Sequence, residues 1–136
     1  MINDLQKLPD KELTDKIINA AIQVHTTLGP GFIESTYEKA LCIELDFLKI
    51  PYEQQKTINV FYRDHLITEH RLDLLVNNCI VIENKAVKDF EAIHFAIVRS
   101  YMKAINASSG LLLNFGTTKL TIKRVYVNLT SSTPTT

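Results

Sequence analysis

The chain has 136 residues, 46% hydrophobic and 22% charged, which suits one globular domain with its own core. Its 15 Lys and Arg balance 15 Asp and Glu, so the whole-chain charge offers a polyanion no attraction and any such surface must come from local clustering. That argues against a nonspecific nucleic-acid coat and leaves room for an enzyme whose basic groups share one cleft.

No segment approaches the roughly 18 apolar residues of a membrane span. The start, "MINDLQKLPDKEL", lacks the apolar run of a signal peptide. Cys42 and Cys79 are far apart with no metal-ligand spacing and read as reduced core residues. A cytoplasmic single domain over 1–136, with fraying at 1–9 and 130–136, is expected.

In chain order, Leu13, Ile17, Ala21, Val24 and Leu28 form a helical stripe, with Asp10 as a candidate N-cap and Gly29-Pro30-Gly31 as the stop. A second helix is expected from Phe32 to Leu48, with Tyr37, Leu41, Leu45 and Leu48 facing inward. The period then switches to two. "KTINVFYR", "LITEHRLDLLV" and "CIVIENKAV" read as three strands of an antiparallel meander, joined at Arg63-Asp64 and Asn77-Asn78. A third helix is expected over Asp89–Ile105, with Phe90, Ile93, Ile97, Tyr101 and Ala104 on one side. "GLLLNFG" and "LTIKRVYVNL" complete the set as strands. The order ααβββαββ, with strands apolar on both faces, predicts an α/β (α+β) fold with a mixed central sheet between helices.

Three charges sit where strands should be buried. Glu83 and Lys85 are two apart and share a face, and Asp73 lies in the preceding strand. A two-residue turn at Asn77-Asn78 pairs Val76 with Cys79 and points Asp73 away from Glu83. A three-residue turn, Asn77 to Cys79, pairs Val76 with Ile80 and sets Asp73 opposite Glu83. The sequence permits both registers. In the second, two carboxylates and an ammonium converge, a set suited to Mg²⁺, which takes one or two carboxylates and leaves its other positions to water and phosphate oxygens. The plainer alternative is a solvated strand end, with Asp73 paired to Arg71 or Lys85.

"GPGFIESTYEKAL" contains Gly31-x-x-Glu34-x-x-Tyr37, and is followed by "RLDLLVNNCIVIENKAV" and "GLLLNFG". Over about Leu13 to Arg124 the chain resembles the GxxExxY family, grouped with the PD-(D/E)XK nucleases. That resemblance implies a restriction-endonuclease-like core and a Mg²⁺- or Mn²⁺-dependent nuclease acting on nucleic acid, DNA ahead of RNA. It implies metal binding by Asp73, Glu83, Glu34 and the Asn84 carbonyl, with Lys85 assisting the attacking water. It also implies that the third helix borders the site, with His94 and Tyr101 as substrate contacts and Ile97 standing where relatives usually carry glutamine. Tyr37 is a further candidate at the substrate, or packs with its hydroxyl bonded to a neighbour; His25 reads as a tie to a backbone carbonyl. At this size a homodimer or protein partner would have to add specificity. The alternative function is a nuclease-fold binding or interaction module without turnover.

Overall fold

The computed structural model describes residues 2–127, with side chains from Asp10 onward. Helix α1 spans Ile2–Leu28 and α2 Glu34–Phe47; strands β1 (Tyr52–Tyr62), β2 (His65–Val76) and β3 (Ile80–Lys85) follow, then α3 (Ala92–Ile105), β4 (Ser109–Asn114) and β5 (Thr121–Tyr126). The 130–136 stretch expected to fray lies outside the described residues, whereas 2–9 is counted in α1. Asp10 is therefore a helix-interior residue and not an N-cap. Its carboxylate instead accepts Ser109 Oγ at 3.3 Å and lies 3.8 Å from Cys79 Sγ.

The five strands form one sheet in the order β1-β2-β3-β4-β5. Every neighbouring pair is antiparallel except β3 and β4, which run parallel with α3 crossing between them. Helices cover both faces, giving a mixed α/β sandwich of the restriction-endonuclease type. On one face α1 and α2 bury Ile17, Ala21, Val24, Tyr37, Leu41 and Leu45 against Leu74, Val76, Ile80, Ile82, Leu111 and Leu113. On the other, Val98 and Met102 of α3 pack on Leu72, Leu75, Val81 and Leu112.

Helix α3 differs from the sequence expectation in its start and in its buried face, each for a clear reason. α3 starts at Ala92, because Glu91 and His94 close a capping box there. Its buried face is Val98 and Met102, with Tyr101 partly buried against them, so the stripe through Ile93, Ile97 and Ala104 is rotated away from the core. Ile93 is 57% exposed. A helix with two apolar stripes has a clear period, but the period does not say which stripe meets the sheet.

Candidate active site at the end of strand β3

The turn after β2 decides the site. Asn77 and Asn78 both adopt left-handed backbone, at φ 53° and 59°, which asparagine tolerates better than other non-glycine residues. The Cys79 amide closes the turn on Val76 O at 3.0 Å. Val76 pairs with Ile80, Leu75 with Val81 and Leu74 with Ile82. This is the three-residue register, and it puts Asp73 opposite Glu83.

Backbone pairing between β2 and β3 stops there, and the two carboxylates take its place. Glu83 Oε1 accepts the Asp73 amide at 2.9 Å, and Asp73 Oδ2 accepts the Asn84 amide at 2.8 Å. Glu83 is buried and Asp73 half-buried. Burial raises both carboxyls above the ordinary range. For Asp73, the Asn84 amide pulls back against it, the charge of Glu38 raises it further, the Gln55 amide lowers it and Glu34 raises it, leaving it at about 6. For Glu83, the charge of Asp73 is the next largest cause after burial, and the Asp73 amide and the Lys85 ammonium offset only part of the rise, to about 8. Neither carboxylate has a cation within 4 Å among the described residues.

Gln55 and Glu38 belong to the cluster and were missed in the sequence. Gln55, opposite Asp73, has φ 54° and no pairing partner in the β1–β2 ladder, which resumes at Lys56 and Leu72 and shifts register again between Val60 and Phe61. Across this kink the inward faces exchange: Leu74 and Val76 pack under α1 and α2, whereas Leu72 and Ile58 pack under α3. The Gln55 amide donates to both oxygens of buried Glu38, at 3.0 and 3.1 Å, and lies 3.4 Å from Asp73 Oδ1. Gln54 donates to Glu38 Oε2 at 2.7 Å. Glu38 is one turn past Glu34 on α2, and that i, i+4 spacing was the signal available.

Glu34 reaches the cluster from the first turn of α2, its Oε2 accepting the Ala86 amide just beyond Lys85 at 3.3 Å. The Gly31-x-x-Glu34-x-x-Tyr37 spacing has a local cause. Gly31, at φ 120°, redirects the chain into α2. One turn after Glu34, the Tyr37 hydroxyl donates to Gly29 O at 2.6 Å and accepts the Phe32 amide at 3.1 Å. Tyr37 is fully buried and stacked on Phe115 at 4.6 Å. It therefore holds the loop that aims Glu34 and has no surface left for substrate.

The remaining candidates divide. Lys85 ends β3, half-buried, on the face of Glu83. Tyr101 is close enough that Glu83 and Asp73, after burial, raise its phenol. One ring nitrogen of His94 has a structural role: its Nδ1 accepts the Glu91 amide at 2.9 Å in the α3 cap. The Asn84 side chain is buried with both amide atoms unpartnered, while its backbone N–H serves Asp73. His25 Nε2 lies 2.8 Å from Thr117 O.

Asn114, also missed in the sequence, clamps the segment after Lys85. Its Oδ1 accepts the Val87 and Gly116 amides, each at 3.0 Å, and its Nδ2 donates to Val87 O at 2.9 Å.

Residues 11–125 match the PD-(D/E)XK nuclease superfamily. The chain belongs to that superfamily. No curated protein matches it, and no solved structure does. Among the described residues no group of three or more His, Cys, Asp and Glu is arranged as a metal site, and no helix is long and apolar enough to cross a membrane. PD-(D/E)XK nucleases commonly use divalent metals, and the donors here fit a hard one. They are oxygens only, they come from two adjacent carboxylates with no cation within 4 Å among the described residues, and burial disfavours both as anions, which a bound cation would relieve.

Proposed function

We propose that this PD-(D/E)XK protein hydrolyses phosphodiester bonds in nucleic acid, DNA ahead of RNA, with Mg²⁺ or Mn²⁺ held by Asp73 and Glu83. The single observation that carries this reading is the reciprocal hydrogen bonding of those two residues across the β2–β3 hairpin. It fixes both carboxylates while leaving Asp73 Oδ1 and Glu83 Oε2 as the less committed oxygens. The Asn84 carbonyl and Glu34 complete the oxygen set on this reading. The Gly31, Glu34 and Tyr37 spacing supports placing the chain in the GxxExxY branch of the superfamily.

The bound ion would supply positive charge against a phosphate oxygen and acidify water. The protein's own part is orientation and charge. Lys85 positions the attacking water with its ammonium and offsets the negative charge that builds on phosphorus oxygens. Water adds to phosphorus, one P–O bond breaks, and the products are a phosphate end and a free hydroxyl. Tyr101 borders the same face and contacts the substrate strand. His94 acts by fixing the start of α3, and Tyr37 by fixing the start of α2.

The test is cleavage of linear, single-stranded and branched DNA in Mg²⁺ or Mn²⁺. Wild type is expected to cut at least one of them, and Lys85→Ala and Glu83→Ala to lose that activity. A protein that cuts nothing, or variants that cut as well as wild type, would leave a nuclease-fold binding module in its place.

A further inference from the structure

Among the described residues, the rotated stripe of α3 is covered only in part, with Tyr101 resting on the core and on His70. Ile93, Ile97, Tyr101 and Ala104 line a groove of about 930 Å³ whose other wall is β1 together with His70 of β2. The core-facing stripe is separate and closely fitted: a Cβ on Gly110 would lie 2.8 Å from Met102 Sδ. An apolar helical stripe that faces an open groove calls for something from outside to cover it.

The chemistry of the walls selects that partner. Lys56 and Lys103 line the groove, and among the described residues no acidic side chain does. Lys56 is 3.4 Å from Glu53, and Lys103 makes no ion pair among the described residues. Tyr101 and His70 stand 6.1 Å apart as a tilted aromatic pair, and Phe61 offers a 60% exposed ring farther along. Tyr101 also feels the charge of Glu83 and Asp73, so its part of the groove lies toward the carboxylate cluster. Apolar walls alone would suit a peptide. Positive charge with aromatic faces suits a strand whose bases are unstacked and free to lie on rings, with its phosphates near the lysines. A duplex hides its base faces and would leave the Ile97 floor untouched.

Taking the carboxylates as a nuclease centre, we propose that the groove between β1 and α3 holds unpaired nucleotides of the substrate strand and makes the protein selective for single-stranded or frayed nucleic acid. Ile97 then lies under a base as an apolar floor, a role its side chain fills and a glutamine amide would not.

The experiment is fluorescence anisotropy in EDTA, where no strand is cut, with labelled oligothymidylate and a hairpin duplex of equal length. Oligothymidylate is expected to bind the wild type about tenfold more tightly than the duplex. Ile93→Glu, which places a negative charge on an exposed groove position, is expected to weaken oligothymidylate roughly tenfold, the scale of one lost base stack. Ile97→Ala is expected to weaken it several-fold by removing the floor. The rise in melting temperature with Mn²⁺ should stay at wild-type size in Ile93→Glu, eight residues along α3 from Tyr101, the groove residue that feels the carboxylate charge. Failure of wild type to respond to Mn²⁺ would count against the nuclease centre, and failure to prefer oligothymidylate would count against the groove, so the two are separable. Equal affinity for single strand and duplex, or folded variants that bind oligothymidylate like wild type, would overturn the proposal. So would a wild-type dimer that Ile93→Glu dissociates, because a second copy would then be what covers the stripe.

Discussion

Asp73 and Glu83 lock each other in place through the neighbouring strand: Glu83 accepts the Asp73 amide at 2.9 Å, and Asp73 accepts the amide next to Glu83 at 2.8 Å. Each carboxylate replaces a ladder bond that the backbone no longer makes. Mutual positioning of this kind lowers both pKa values through the amides, yet burial and repulsion raise them more.

The sign of the resulting pH dependence follows. The folded protein keeps protons on these carboxyls that the unfolded chain releases above about pH 4. Where the native state holds more protons, stability falls as pH rises. In EDTA the urea midpoint is therefore expected to decline from about pH 4 to the raised value of Glu83, about 8. Glu83→Gln should flatten that decline. Mn²⁺ should raise the midpoint more at pH 8 than at pH 5, because the cation competes with protons for the same oxygens. A midpoint that rises over this range, or a slope unchanged by Glu83→Gln, would contradict the assignment.

Gln55 joins backbone strain to a polar contact. A non-glycine residue with left-handed backbone costs about 1–2 kcal/mol, and its amide is what holds Glu38 beside Asp73. Gln55→Gly relieves the strain and Gln55→Ala does not, so the glycine variant is expected to be more stable than the alanine one by about 1 kcal/mol. Both should lose cleavage relative to wild type, since both leave Glu38 and Asp73 without the amide between them. Equal stability of the two variants in urea would remove strain from the account.

Tyr37 is expected to act on stability more than on metal binding. Tyr37→Phe keeps the stack on Phe115 but leaves Gly29 O and the Phe32 amide without their shared hydroxyl. Loss of those bonds should cost about 1–3 kcal/mol. The Mn²⁺ response should persist, because Asp73 and Glu83 are untouched. A calorimetric titration with Mn²⁺ beside a urea melt separates the two effects; loss of metal affinity at full stability would place Tyr37 at the site after all.

Much of this architecture was legible because it rests on repeating patterns. The unbroken apolar run Ile80-Val81-Ile82 in "CIVIENKAV" marked β3 as a strand buried on both faces, and the spacing of Ile17, Val24, Leu41 and Leu45 marked the inward faces of α1 and α2. What the sequence left open depended on single dihedral angles. Two left-handed asparagines chose the register that joins Asp73 to Glu83, and either turn length was compatible with the residues. The kink at Gln55 has no local sign, since glutamine has no preference for left-handed backbone, so the exchange of faces at Asp73 stayed hidden, and Glu38 was marked only by its i, i+4 spacing from Glu34. Likewise Asn114 reads as an ordinary strand end until its amide is seen to hold Val87.

That clamp allows the placement of Lys85 to be tested separately from stability. A Cβ on Gly116 would lie 2.7 Å from Val87 N and 2.8 Å from Ala86 C and Val87 O, all backbone atoms that cannot rotate aside. A Cβ on Gly110 would meet Met102 Sδ at 2.8 Å and Val98 Cγ1 at 3.1 Å, side-chain ends that can shift. Both Gly116→Ala and Gly110→Ala are overpacking changes, with an expected cost of about 1–3 kcal/mol each. Only Gly116→Ala pushes on the segment that follows Lys85 and carries the Ala86 amide bonded to Glu34. Assayed well below their melting temperatures, Gly110→Ala should keep near wild-type cleavage and Gly116→Ala should lose at least about tenfold, the rate effect that a displacement of about 1 Å at a reacting group readily produces. Parallel losses in the two variants would mean that activity follows stability alone, and that the approach of Gly116 to Val87 does not position Lys85.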